Sequence, residues 1–187
     1  MAAKLLSARK LPDLPGYGAT PDLERAYQRE LRRALDRDDT RAINQALNIP
    51  AFRVTRATDQ TGVASATETR IAFTTASIDT HSFFDITTNY RYTPKIAGVY
   101  LFAVHARWNY AFAADNTHFV KIYQNAVEKA MGLEYFTVGA TGPSLTVSTI
   151  LTMDGNTDYV DFFCYQNSGS AQPLLTGAYA YGYKVCD

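Results

Sequence analysis

The residues of this chain that could carry catalytic or metal chemistry are few. They are His81, His105, His118, Cys164, Cys186 and the acidic hexapeptide DGNTDY, Asp154 to Tyr159. No two histidines stand at the HxH or HxxxH spacing that puts both on one metal. His105 lies near Arg107 on the mixed face of a strand-like run and reads as a surface or interface histidine. Two cysteines make neither a disulfide framework nor a zinc set. They read as two unpaired thiols, with a bridge left open by the spacing. Asp154, Asn156 and Asp158 alternate like the first half of an EF-hand loop, but Tyr159 stands where that loop has glycine. The hexapeptide therefore reads as a hairpin turn. No G-x-S-x-G elbow and no glycine-rich phosphate loop is present. The expectation is a non-enzymatic protein with no catalytic residue, no metal and no cofactor.

Composition points the same way. The chain has 187 residues, 47% hydrophobic and 19% charged, against about 25% charged in an average domain. Of Tyr 13, Phe 10 and Trp 1, all but Tyr17 and Tyr27 follow Pro50. That describes a β-rich, aromatic-packed body behind an aromatic-poor leader. Lys+Arg 18 balance Asp+Glu 18, which lacks the basic excess of a nucleic-acid binder. The apolar run at the start stops at Leu6, too short for a secretory signal. No run approaches the length of a membrane span. The expectations are no nucleic-acid partner, no membrane insertion and no export by the secretory route.

Two segments must position whatever the protein presents. Residues 1–49 read as an arm and a helix for anchoring or assembly, and 50–187 as the body. Pro12, Pro15, Gly16 and Gly18 punctuate the arm and no apolar period runs through it. Thr20 can cap a helix, Pro21 suits its first position, and Asp22 and Glu24 suit its dipole. Leu23, Tyr27, Leu31 and Leu35 then recur every four residues among Arg25, Arg29, Arg32, Arg33 and Arg37. A short helix is not stable in water by itself, so this stripe is the candidate anchor.

From Ala51 onward the apolar period is two. Strands are expected near 51–57, 69–75, 82–87, 98–109, 117–124, 127–136, 144–153, 159–166 and 177–185, the pattern of a β-sandwich or jelly roll. In the central run Tyr100, Phe102, Val104 and Trp108 share one face and form the candidate core. Other strands are apolar on both faces. In YVDFFCYQN, Phe162 and Cys164 oppose Phe163 and Tyr165. In GAYAYGYKV, the row Tyr179, Tyr181, Tyr183 opposes Ala178, Ala180 and Gly182. Aromatic rows on outer faces exceed what monomers expose, so self-association is expected. The alternative is that the tyrosine row faces the core.

The stretch RYTPKIAGVYLFAVHARW resembles the central signature of the complement-head (C-one-q) and tumour-necrosis-factor-like jelly roll, through Arg91, Tyr92, Thr93, Pro94, Ala97, Gly98, Tyr100 and Phe102. AFRVTRAT, TRIAFTTASIDTHSFFD, HFVKIYQNAVEKAM, SLTVSTILTMDGNTDYVDFFCYQN and LLTGAYAYGYKV are similar to the family's other strands in order. Ala126 stands where the family's turn has glycine, and the turn at Asp154 is longer than usual. The resemblance implies an all-β jelly-roll sandwich assembled as a compact homotrimer, with closing-strand aromatics near its threefold axis. Tyr179, Tyr181, Tyr183 and Phe163 are the candidate interface residues.

The leader LPDLPGYGATPDLERAYQRELRRAL is similar to N-terminal anchoring segments of tailed-phage structural proteins. The functional expectation is therefore a phage virion protein, assembled in the host cytoplasm. It would be a trimeric capsid-decoration, head-fibre or tail-associated knob, held to other virion proteins by residues 1–49. The alternative is a receptor- or carbohydrate-binding module of a tail fibre, or a free trimeric ligand, that meets a host-surface glycan or receptor.

Overall fold

The computed structural model describes Arg25, Arg29, Arg32, Arg33 and residues 49–108, 116–136 and 142–187. The chain divides into two units, Met1–Asn48 and Ile49–Asp187. In the first, the four described arginines are helical and exposed, and Arg29 Nε donates to the Arg25 carbonyl at 3.3 Å. Leu23, Tyr27, Leu31 and Leu35 lie outside the described residues.

Period-two alternation of β-branched and aromatic residues builds the second unit as two antiparallel sheets. One has the strand order β10 (Ser144–Met153), β7 (Gly98–Arg107), β13 (Tyr179–Cys186), β1 (Ala51–Thr55), β4 (Thr75–Asp79). The other runs β5 (Phe84–Asp85), β6 (Arg91–Tyr92), β11 (Val160–Gln166), β8 (Asn116–Gln124), β9 (Val127–Phe136), with β3 (Thr69–Arg70) also paired to β11. A small pair, β2 (Gln60–Val63) and β12 (Gln172–Leu174), completes the unit. The last strand, β13, lies between β1 and β7, so the body is the all-β jelly-roll sandwich that the alternation implies.

The facing sides of the two sheets form one core. Phe52, Tyr92, Tyr100, Phe102, Val104, Trp108 and Phe162 are essentially inaccessible to solvent. The Phe52 ring stacks on Tyr92 at 4.4 Å, and Phe73 meets Phe162 edge-on at 6.0 Å. Each such side chain contributes about 1.5–3 kcal/mol by leaving water, plus a smaller term for offset and edge-on ring geometry.

The run expected as one strand over 69–75 is divided between the two sheets. β3 pairs with β11 and β4 with β1. Between them Ile71 and Phe73 are fully buried, so the side chains alternate as in a strand. The backbone there keeps one bond to each sheet, Ile71 N to the Phe162 carbonyl at 2.8 Å and Thr74 N to the Thr55 carbonyl at 3.1 Å, and side chains hold the rest. Gln60 Nε2 donates to the Arg70 carbonyl at 2.8 Å, and Gln60 Oε1 accepts from Ala72 N at 2.9 Å. The Arg56 guanidinium donates to the Ala72 carbonyl. The strand expected over 82–87 is likewise cut to two residues. The Asp85 carboxylate captures the next backbone donors, Thr87 N, Thr88 N and Asn89 N, at 2.9, 2.9 and 3.0 Å.

Candidate functional site

Along β13, small and large residues alternate. Ala180 is fully buried against the core, and a Cβ on Gly182 would meet the rings of Phe52 and Phe102. The same pleat turns Tyr179, Tyr181 and Tyr183 outward. The row therefore does not face the core. Tyr179 lies between Thr55 and His105 in register, Tyr181 between Arg53 and Ala103, and Tyr183 between Ala51 and Leu101. Cross-strand neighbours extend the apolar character to both sides. Ile150 pairs with Leu101 on β10, and Ile78 pairs with Arg53 on β4. Ile78, Ile150, Tyr181, Tyr183 and Val185 are exposed, up to 61% for Ile150.

This face is ordered by its own contacts. The Tyr179 ring stacks between partners, with His105 at 4.8 Å and Tyr181 at 6.3 Å, and the Arg53 guanidinium sits 5.4 Å from its centre. His105 Nδ1 is 2.9 Å from Thr146 Oγ1 and its Nε2 is 3.2 Å from Ser144 Oγ. Burial, and then the charge of Arg107, pushes the His105 imidazole below its ordinary range. It is neutral at pH 7, with both ring nitrogens engaged. His105 is an aromatic spacer in the face, held by two hydroxyls.

Phe163 is not brought to this face. On β11, Phe162 and Cys164 point to the core, so Phe163 points away from it on the outside of the other sheet. There the Arg70 guanidinium lies 5.3 Å over its ring and Tyr123 meets it edge-on at 4.9 Å. The neighbouring row is similarly covered. Phe119 stacks on Tyr165 at 4.3 Å, and Lys121 Nζ lies 4.5 Å from the Phe119 centre. Lys121 bridges Glu68 and Glu128 at 2.5 and 2.8 Å, and Tyr123 OH donates to Glu68 at 2.6 Å. The aromatic residues on this side are thus roofed within one chain by cations and their carboxylate partners. In the tyrosine row Arg53 lies over Tyr179, while Tyr181 and Tyr183 stay exposed. Periodicity cannot make this distinction, because the roofing residues come from other strands. On the edge strand β9, Met131 and Leu133, paired with Lys121 and Phe119, form a second exposed apolar strip.

The other chemistry-bearing residues serve the fold. His118 is fully buried and edge-on to Trp108 at 5.5 Å, and burial pushes its imidazole down to about 4. Cys164 is buried and Cys186 exposed, both as free thiols. The Asp154 carboxylate accepts from Asn156 N, Thr157 N, Thr157 Oγ1 and Asp158 N at 2.6–2.9 Å. Its oxygens close a turn and are not gathered for a cation. Among the described residues, no group of three His, Cys, Asp or Glu side chains is placed to hold a metal ion.

No protein-family model and no curated protein sequence matches the chain. Solved structures do. The globular domain of zebrafish complement 1qA protein aligns at a TM-score of 0.53 and 18% identity, over 73% of this chain and 96% of that one. Murine APRIL at pH 5.0 aligns at 0.54 and 8% identity, over 74% and 100%. Eiger TNF from S. frugiperda aligns at 0.50 and 10% identity, over 74% and 92%. At such identities what is shared is the fold, and the body of this chain is a jelly roll of the complement-head and tumour-necrosis-factor kind.

Proposed function

We propose that the protein is a non-enzymatic binding knob that works as a homotrimer. The observation that carries this reading is the outward face of the five-stranded sheet, with Tyr181, Tyr183, Ile150, Ile78 and Val185 exposed together. A cyclic trimer requires a heterologous contact, in which two different patches of the same chain meet. The tyrosine face and the β9 strip of Met131 and Leu133 are two such patches. The likeness to complement-head and tumour-necrosis-factor folds supports the same assembly.

Residues 1–49 are the attachment segment in this reading, and the particle is a phage virion, with the knob decorating a capsid or tail. What supports that finer step is the resemblance of the leader to virion anchoring segments. Sedimentation equilibrium of the full chain at micromolar concentration tests the assembly. A trimer mass is expected. Tyr181→Glu and Tyr183→Glu each place a charge in the contact, at a hot-spot cost of about 2 kcal/mol or more, or roughly 30-fold in dissociation constant. A wild-type chain that sediments as a stable monomer sinks the reading. Attachment is tested separately, by adding a chain lacking residues 1–49 to particles that bind the full-length protein.

A further inference from the structure

A cavity of about 430 Å³ opens beside β5 and β6, away from the tyrosine row. That volume lies within the range of small-molecule sites, about 300–1,000 Å³, and a bare ion would leave most of it to water. One wall is aromatic, the His81 ring stacked on Phe83 at 5.2 Å and 30°. The wall is held from behind. Asp79 accepts from Phe83 N and Phe84 N at 3.0 Å each, and Thr93 N donates to the Phe83 carbonyl at 2.9 Å.

The lining also carries Arg91 and Lys95. The Arg91 guanidinium lies 4.2 Å from the centre of the Tyr159 ring. Its charge acts on the Asp161 carboxylate, its cross-strand neighbour, which is ion-paired to Arg70 at 2.8 Å. A guanidinium presents a planar N–H fork, the geometry that takes a carboxylate in two parallel bonds. Lys95 Nζ donates to the Asn156 carbonyl at 2.6 Å and has two further donors. The one carboxylate in the lining, Asp85, already accepts five hydrogen bonds from Thr87, Thr88 and Asn89. Those donors are neutral and hold Asp85 ionised, so two cations face one carboxylate and the lining is net positive. Ser82 in the lining and Tyr90, between the lining residues Asn89 and Arg91, hold φ of 55° and 50°. Left-handed backbone in non-glycine residues costs about 1–2 kcal/mol each and concentrates at functional sites.

We propose that this cavity binds one carboxylated sugar unit, a hexuronate of an acidic saccharide. Arg91 and Lys95 take the carboxylate, the His81–Phe83 wall takes the C–H face of the ring, and the Ser82 and Thr93 hydroxyls take the sugar hydroxyls. The site is complete within one chain, so it stands whether or not the protein assembles as a trimer.

Saturation-transfer NMR on the full-length protein tests it, with methyl glucuronide, methyl glucoside and inorganic sulfate as probes. Transfer to the glucuronide ring protons is expected, with the glucoside at least ten-fold weaker and sulfate a poor competitor. Arg91→Ala should abolish the transfer and Lys95→Ala should weaken it, with circular dichroism unchanged. If Arg91→Ala fails to fold, Arg91→Lys keeps the charge, loses the fork and should still lose most of the transfer. No transfer from glucuronide overturns the proposal. So does equal transfer to the glucoside, full competition by sulfate, or indifference to both the Arg91 and Lys95 substitutions.

Discussion

Replacing Gly182 separates what strand chemistry wants from what the core permits. Glycine weakens a strand by about 0.5–1 kcal/mol relative to alanine, and valine is among the residues strands favour. By local preference alone, Gly182→Ala should stabilise the domain and Gly182→Val should do so further. The tertiary structure reverses the sign. A Cβ at position 182 would lie 2.7 Å from Phe52 Cε1, 2.8 Å from Phe102 Cδ1 and 2.8 Å from the Leu101 carbonyl oxygen. The oxygen belongs to β7, paired with β13 through this register, and the Phe52 ring is stacked on Tyr92 within the core. Neither ring nor backbone can withdraw freely. Overpacking of this kind costs about 1–3 kcal/mol. Net of the glycine term, Gly182→Ala should lose about 1–2 kcal/mol, roughly 3–8 °C in Tm for a domain of this size, and Gly182→Val more. Trp108, the single tryptophan, is fully buried, so its fluorescence reports global unfolding in urea. The expected result is a lower midpoint with unchanged slope, in the order glycine, alanine, valine. A valine variant as stable as the parent would refute the packing argument.

Three further outcomes follow from particular residues. Asn125 and Ala126 both hold left-handed backbone, at φ 52° and 63°, in the two-residue turn between β8 and β9. Ala126→Gly removes the Cβ penalty and should raise stability by about 1 kcal/mol, read as a higher urea midpoint. His118 is neutral in the fold, its pKa pushed down by burial to about 4, against about 6.5 unfolded. As pH falls below about 6.5 the unfolded chain takes a proton that the native state refuses, so stability present above that pH is lost towards pH 4, by up to about 3 kcal/mol. The drop in urea midpoint between pH 7.5 and 4.5 should shrink in His118→Gln, and an identical drop in that variant would assign the effect elsewhere. Burial pushes the Cys164 thiol up to about 12 while Cys186 is exposed. A thiol reagent at pH 8 should label one cysteine per native chain and two after unfolding, and fast native labelling of both would contradict the burial.

Much of the fold is legible in the chain because the pleat has a period of two. In 98–108, alternation separates Tyr100, Phe102, Val104 and Trp108 from the other face, and they lie in the core. Segments 127–136 and 144–153 are strands over the spans that alternation marks. Short strands with weak apolar pattern, β2, β12 and β4, escape such a reading, since their pairing partners lie far along the chain. Asp85 and Gln60 likewise redirect the backbone through side-chain hydrogen bonds that no periodicity records.

The candidate surfaces divide in the same way. Alternation on β13 determines that tyrosines and small residues occupy opposite faces, because successive side chains must point to opposite sides. It does not determine which face is the core. That was decided by Phe52 and Phe102, whose rings leave no room beside position 182 and so turn Tyr179, Tyr181 and Tyr183 outward. Phe163 has the same local pattern and a different fate, because Arg70 and Lys121 reach over its sheet from other strands. Local pattern set which residues are paired back to back, and non-local packing chose which of each pair remained exposed.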